Sequence, residues 1–439
     1  MKKALCIAYD FPPRRTSGVY RITGMTKYLS QHGWHPIVLT IEQRKNDFCD
    51  PTLLQRVPAN VEIARTKYIR MGAWEDPVAG GLRKFGGLQS SPDHRLQPVS
   101  DRLIRSLGSL VRSTLYFPDD TVGWIAFGLA RAISLHRKHR FDLVYCTSPP
   151  RAALVIGLFL KLLFGVPFVA ESRDPWNPPR RPIRRRCEHW LQHLIFNKCN
   201  RLVLHSEGYA QEVVNTFGIP RNKTAVVSNG YDESDFLSGE KAAQNPFPTG
   251  FVHLSHFGTV YPGRNGKFFS AVGDFLKQYP EERGRVRLNI VGYPDEEVRR
   301  YAQSDELKDV IVVHKFMGHP EALEAMRSSD CLIIFWGDPY YSQRTVAGKL
   351  YEYLRIGRPI LAVDCGGETT QIIRDGNAGW AVAPDDSEGI KDVLRTLLNQ
   401  NRDGRPLPCA TPEYAAQYRY DRLAGKLARV FDSVLNHGS

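Results

Sequence analysis

Lys349 and Glu352 stand three residues apart in the stretch AGKLYEYLRIGRPILAVD (347–364), and Arg264 and Lys267 stand three apart in TVYPGRNGK (259–267). A carboxylate can accept both hydroxyls of a ribose while cations hold the phosphates. These four side chains together describe a nucleoside diphosphate held without a metal. Each pair also admits a plainer reading. Lys349 and Glu352 could be a surface ion pair worth about 0.2–0.5 kcal/mol, and Arg264 and Lys267 an exposed basic turn. The context must decide between them.

The context begins with the helix that carries Glu352. At 100° per residue Val346, Leu350, Tyr353 and Leu354 form one apolar arc, while Lys349 and Glu352 share another flank. Ser342 is expected to cap this helix, whose free N–H groups attract anions, with Lys349 about two turns in. Gly357-Arg358-Pro359 should stop it, and Ile360–Val363 then reads as a strand buried on both faces. The same alternation runs along the chain. KALCIAY (3–9) is a strand, a helix covers 19–32, and HPIVLTI (35–41) is the next strand, which is how a doubly wound parallel sheet opens. VEIART, a helix over 122–138, FDLVYCTS (141–148), a helix over 152–164, PFVAES and RLVLHS continue it. Residues 235–250 lose apolar periodicity and suggest a linker, after which a second set of alternating strands and helices begins at FVHLSHFG. A long helical pattern, 412–436, ends the chain. The expected organisation is α/β with domains at 1–240 and 250–411 and a terminal helical segment, 412–439.

The 439 residues carry 59 Lys+Arg against 46 Asp+Glu, a net charge of +13 that favours anionic partners: nucleic acid, an anionic membrane or phosphorylated substrates. Eight scattered cysteines without C-x-x-C spacing read as reduced, buried small hydrophobes of a cytosolic protein. The first apolar run is too short for a signal peptide. AALVIGLFLKLLFGVPFVA (152–170) is broken by Lys161 and Gly165-Val166-Pro167, so a helix followed by a buried strand is favoured over a membrane span. LIRSLGSLVRSTL (103–115) fits either a core-packed surface helix or an interfacial membrane helix.

In these motifs the sequence resembles the family-4 retaining glycosyltransferases of the GT-B fold. KLYEYLRIGRPILAV is similar to their Glu-bearing helix and following strand, and HFGTVYPGRNGKFFSAV to the donor-phosphate loop of a bacterial surface-polysaccharide branch. VVSNGYDESDF (226–236), YDFPPRRTSGVYR and ESRDPW resemble further motifs of that branch. The resemblance implies two Rossmann-like domains facing across a cleft, with the C-terminal helix crossing back to the first. It implies a retaining, metal-independent sugar transfer from a nucleotide sugar, with UDP favoured over GDP and no separate cofactor. Carried over by position, Glu352 is the ribose ligand. Arg264 is the diphosphate cation, aided by Lys267 or Lys349. Gly18 is the close approach to the phosphates, and Phe316 or its neighbours in HKFMGH (314–319) flank the base through main-chain contacts.

Two departures stand out. Many members carry a second glutamate eight positions before the ribose ligand, where this chain has Arg344. Many also have a histidine after the PFVA strand, where AESRDPW offers Glu171, Arg173 and Asp174 as catalytic candidates. Asp174 could orient or deprotonate an acceptor hydroxyl and Arg173 could bind a phosphate, unless the two form only a local turn. With no obvious carboxylate nucleophile, same-face attack assisted by the leaving phosphate is favoured. The arginine run 180–186 directly follows. It suits an ordinary solvated loop, but beside an acceptor site Arg184, Arg185 and Arg186 would suit a polyprenyl-diphosphate-linked saccharide acceptor and the anionic inner face of the cytoplasmic membrane. Two rivals remain open: a sugar-nucleotide 2-epimerase of the same fold, and a non-enzymatic nucleic-acid-binding or scaffold protein. No zinc-finger, helix-turn-helix or RNP-like motif supports the latter, so nucleic acid is not the expected partner.

Overall fold

The computed structural model describes residues 1–44, 47–69, 117–176, 182–237 and 245–436. The 103–115 segment and Arg180 lie outside them. Seven strands form the first sheet: β1 (Lys2–Ile7), β2 (Trp34–Ile41), β3 (Glu62–Thr66), β4 (Leu143–Ser148), β5 (Phe168–Ser172), β6 (Arg201–Leu204) and β7 (Thr224–Val226). Their order is β3-β2-β1-β4-β5-β6-β7. β1 runs parallel to both β2 and β4, with Ile7 opposite Leu39 and Cys146. Strands buried on both faces must be apolar throughout, which is why KALCI and LVYC show no alternation.

The second sheet has six strands: β8 (Val252–Thr259), β9 (Val286–Tyr293), β10 (Ile311–His314), β11 (Cys331–Trp336), β12 (Ile360–Asp364) and β13 (Gly379–Val382). They are ordered β10-β9-β8-β11-β12-β13. In both sheets the order reverses beside the first strand, between β1 and β4 and between β8 and β11. Ligands of doubly wound sheets bind beyond the carboxyl ends of strands at such reversals.

Contacts divide the chain into a unit of 1–203, 217–225 and 427–439 and a unit of 204–216 and 226–426. The division therefore does not follow the expected boundaries at 240 and 411. Residues 204–216 join the second unit because Ser206 Oγ donates to the Arg344 carbonyl and Glu212 pairs with Arg344 at 2.7 Å. The end of the helix Tyr420–Asn436 joins the first, where Phe431 packs edge-on against Trp34 at 5.2 Å and against Tyr145 at 5.4 Å.

Several local expectations need correction. The described part of the arginine run, from Pro182 on, is not a loop: Pro182–Lys198 is a helix, because Leu191, Ile195 and Phe196 recur at helical spacing and are buried, while Arg180 and Arg181 lie outside the described residues. The helix bearing Glu352 is also shorter than its periodicity suggested. Asp338 caps a single turn, Pro339–Ser342, by accepting from the Tyr340 N–H, and a separate helix runs only from Leu350 to Ile356. Ser342 caps nothing; its hydroxyl is buried and donates to Asp364. Lys349 sits at the N-cap position rather than two turns in. The apolar arc itself is as expected, with Val346, Leu350, Tyr353 and Leu354 all buried. Among the cysteines Cys6, Cys146, Cys199 and Cys331 are buried, whereas Cys187 and Cys409 are exposed. The stretch 152–170 is a 13-residue helix, Ala152–Phe164, followed by β5. Among the described residues no helix is long and apolar enough to cross a membrane.

Candidate active site

The second unit concentrates its polar chemistry where β8 and β11 end. The loop 260–267 leaves β8 and is tied down on three sides. Val260 N–H donates to the Tyr293 carbonyl at the end of β9, Gly337 N–H after β11 donates to the Arg264 carbonyl, and Lys267 N–H donates to the Pro384 carbonyl beyond β13. The tying places Arg264, only 8% exposed, among the rings of Tyr261, Trp336 and Tyr341 at 4.6, 4.5 and 4.3 Å. Each such contact is worth about 0.5–1 kcal/mol at an exposed site and more when desolvated. A cation held by aromatic faces keeps its N–H edge for an anion, whereas one held by a carboxylate is already neutralised. Lys267 has an exposed side chain at the start of the helix Phe268–Gln278, whose first N–H groups add to the same positive field.

Lys349 reaches the same region from the opposite element. Its Nζ lies 3.1 Å from His256 Nε2 and close under Gly258, where φ is +108° and a Cβ would stand 3.2 Å from Nζ. Burial, helped by the charge of Arg264 and opposed by Glu352, lowers the Lys349 pKa to about 7. Glu352 does not pair with Lys349. It lies in the first turn of its helix, where its Oε1 meets His319 Nε2 at 2.8 Å, both side chains being partly exposed. The surface-pair reading of Lys349 and Glu352 is thereby set aside: one side chain turns inward to a histidine, the other outward to a different one. Phe316 is half exposed beside β10 and tilts against Tyr293 at 6.4 Å. Arg344 pairs with Glu212 and lies over the Tyr340 ring at 4.3 Å.

In the first unit, Gly18 and Arg173 come together. The Arg173 side chain donates to the Ser148 carbonyl at 3.3 Å and the Pro149 carbonyl at 2.5 Å, which lays the guanidinium across the first turn of the helix Ser17–Leu29. A Cβ on Gly18 would lie 2.1 Å from Arg173 Nη1, so any other residue would have to displace the guanidinium from this spot. A guanidinium and a helix N-terminus sharing one spot make an anion-binding arrangement. Asp174 is exposed next to it. Protein crowding its carboxyl raises its pKa, and Arg173 works in the opposite direction.

Glu171 is placed differently from its neighbours. It is 1% exposed, receives Arg21 at 2.6 Å and accepts from the Thr147 hydroxyl at 2.6 Å. Burial alone would raise its pKa, but the Arg21 charge and these hydrogen bonds outweigh it and hold the carboxyl below its ordinary value. It is a buried anion on β5, beside Thr147 of β4 and neutralised by Arg21. Of the arginines, Arg184 is held by Glu188 at 2.8 Å, and Glu188 also takes Arg151 at 2.9 Å. Arg185 and Arg186 instead line an open surface pocket of about 400 Å³ with His189, Trp190 and His193.

His256, the contact of His319 with Glu352 and the rings around Arg264 were not read from the sequence. A histidine inside an apolar strand reads as core, and the partners at 256 and 349, at 319 and 352, and at 264, 336 and 341 lie far apart along the chain.

Comparison with known proteins agrees with this layout. Residues 90–235 match the family model of Glycosyltransferase Family 4, and residues 257–400 that of Glycosyl transferases group 1. D-inositol 3-phosphate glycosyltransferase 2 of Catenulispora acidiphila is 22% identical over 54% of this chain and 57% of its own. The phosphatidyl-myo-inositol mannosyltransferase of Mycobacterium leprae is 29% identical over 39% and 45%. The chain thus spans about half the length of the curated relatives it matches. Among solved structures, the Anabaena protein HepE in complex with UDP-glucose superposes over 99% of this chain and 100% of its own, with a TM-score of 0.61 at 15% identity. A putative UDP-N-acetylglucosamine 2-epimerase from Listeria monocytogenes superposes over 100% and 97%, with a TM-score of 0.52 at 11%. The fold alone therefore does not separate transferase from epimerase, and both family models matched are of glycosyltransferases. The chain thus matches a Glycosyltransferase Family 4 model in its first part and a glycosyl transferases group 1 model in its second, on the two Rossmann-like sheets of the GT-B fold.

Proposed function

We propose that the protein transfers a sugar, with retention of configuration, from a nucleotide diphosphate sugar to a phosphate-bearing saccharide or polyol acceptor. The observation that carries this reading is the gathering of Arg264, Lys349 and Glu352 at the carboxyl ends of β8, β11 and the elements beside them. Two cations meet the diphosphate and one partly exposed carboxylate meets the ribose diol. Arg264, Lys349 and Lys267 stand where a metal would otherwise neutralise the departing diphosphate. Fixed positive charge at the leaving group is often the largest catalytic contribution. The acceptor hydroxyl attacks from the face that the diphosphate leaves, and a leaving-group phosphate oxygen takes its proton. Asp174, exposed and beside Arg173, is the protein group suited to orient that hydroxyl. UDP is the favoured nucleotide, in keeping with the UDP-glucose complex of the structural neighbour.

For the acceptor, a polyprenyl-diphosphate-linked saccharide of surface-polysaccharide assembly and an inositol phosphate of the kind named for the relatives share an anionic phosphate beside a hydroxyl. Arg173 over a helix N-terminus supports either. The exposed face of the helix Pro182–Lys198, with Ile183 73% and Trp190 61% exposed beside Arg185 and Arg186, supports peripheral attachment to the anionic inner face of the cytoplasmic membrane.

A thermal-shift panel of nucleotides and sugar nucleotides tests the donor site. One nucleoside diphosphate series should raise the melting temperature of the wild type, and none doing so rejects the reading. Incubation with the selected sugar nucleotide alone separates the epimerase alternative, because isomerisation without acceptor would support it. Liposome flotation tests attachment: binding should require anionic lipid and be lost on reversing Arg185 and Arg186 to glutamate. Equal flotation on neutral vesicles rejects the membrane assignment.

A further inference from the structure

We propose that His256 is a positioning residue that holds the Lys349 ammonium group in place for the donor diphosphate. The proposal rests on the nucleotide-site reading of the second unit. Its geometry fixes the histidine's tautomer. His256 Nδ1 lies 3.1 Å from the Ile333 carbonyl, an acceptor only, so Nδ1 carries the hydrogen. The ring is 1% exposed and packs against Phe335 at 4.9 Å, and the Thr259 carbonyl also faces it. A second ring proton, on Nε2, would put a buried imidazolium 3.1 Å from a lysine. Burial and the Lys349 charge oppose this and hold the histidine well below its ordinary pKa. Nε2 is therefore a fixed lone pair, and Lys349 donates to it.

The consequence is directional. One of the three ammonium N–H bonds is committed to Nε2, and the glycine backbone at 258 closes another side. The rest are left for an anion at the end of β8, beside Arg264. The charged groups facing Lys349 are Arg264, which opposes its protonation, and Glu352, itself bound to His319, which favours it. A neutral acceptor such as Nε2 adds to the second side without cancelling the positive charge the diphosphate needs. A carboxylate in the same place would cancel it.

The test measures the affinity of the sugar nucleotide selected by the thermal-shift panel, by isothermal titration between pH 6 and 8.5. In the wild type, binding should weaken as pH rises through about 7, as Lys349 of the free protein loses its proton. His256→Asn keeps a donor toward Ile333 but cannot reach Lys349. It should weaken binding about tenfold at pH 6 and move the midpoint to lower pH. His256→Gln, whose amide oxygen falls near the Nε2 position, should recover most of both. Lys349→Met should lose the pH-dependent limb. A His256→Asn protein with wild-type affinity and midpoint, or one whose affinity falls with no movement of the midpoint, overturns the proposal. So does a His256→Gln protein no better than His256→Asn. Nitrogen-15 spectra of wild-type histidines provide a check that needs no variant: an Nε2–H tautomer for His256 overturns it as well. Absence of any nucleotide binding by the wild type removes the donor-site reading, and the role of His256 falls with it; retained binding with unaffected variants removes only the latter.

Discussion

Replacing Glu352 by alanine separates binding from folding, because the side chain has little structural work in the absence of ligand. Its one strong partner is His319, and both side chains are about one-fifth to one-quarter exposed. A pair of that exposure contributes roughly 0–1 kcal/mol, so the unliganded melting temperature should fall by no more than about 2–4 °C. The liganded protein is another matter. Hydrogen bonds from both ribose hydroxyls to a carboxylate are charge-assisted, at roughly 1.5–3 kcal/mol each, and losing the pair should weaken binding by about 100-fold or more. At a ligand concentration of about 100 times the wild-type dissociation constant, binding stabilises the wild type by about 2.7 kcal/mol; after a 100-fold loss about 0.4 kcal/mol remains. The nucleotide-induced thermal shift should therefore nearly vanish in Glu352→Ala while the unliganded curve barely moves. Glu352→Gln, which keeps an acceptor oxygen without the charge, should lie between. A Glu352→Ala protein with the full wild-type shift would refute the assignment of the ribose to this carboxylate.

Three further outcomes follow from the geometry. Gly18→Ala must push aside the Arg173 guanidinium, since the new Cβ would stand 2.1 Å from Nη1; transferase kcat/KM should fall at least tenfold with the melting temperature nearly unchanged, and wild-type activity would show that Arg173 need not occupy that spot. Arg21→Met strands Glu171 as a buried unpaired anion, at a cost of about 3–5 kcal/mol; calorimetry should show a drop on the order of 10 °C, and loss of activity without loss of stability would return Glu171 to the catalytic group. Arg344→Ala breaks a partly exposed pair with Glu212; the KM for the sugar nucleotide should stay within about twofold by steady-state kinetics, and a large rise would mean that Arg344 has taken over the role of the missing sugar-contacting glutamate.

What could be read in the chain was whatever depends on near neighbours. The arc of Val346, Leu350, Tyr353 and Leu354 and the doubly buried β12 follow from local spacing, and both are present. The helix boundary was not legible, because Val346 extends the apolar period ahead of Leu350 while the Asp338 cap closes a separate turn before it. The arginine run misled for a related reason. Its charge density hides the three apolar residues that make it a helix, and these come only after the run ends. Glu171 looked available because its neutralising partner, Arg21, comes 150 residues earlier.

The same distinction explains how the proposed donor site is assembled. The residues that resemble a known motif, Arg264, Lys349 and Glu352, are each useful only in one orientation, and most of the groups that hold them lie elsewhere in the chain. Arg264 depends on rings at 261, 336 and 341, Lys349 on a histidine 93 residues earlier, and Glu352 on His319, 33 residues earlier. All of these partners are aromatic or imidazole groups. The rings hold Arg264 by its face and His256 holds Lys349 by a single hydrogen bond, and so both leave the charge of the cation intact. Had the sequence supplied carboxylates for the cations and an arginine for Glu352, the side chains would be held more strongly. They would also be neutralised before a ligand arrived. A site that must grip a diphosphate is better served by weak holders that carry no opposing charge, and that choice of partner is the physical signature separating Arg264 and Lys349 from the ordinary ion pairs on the same surface.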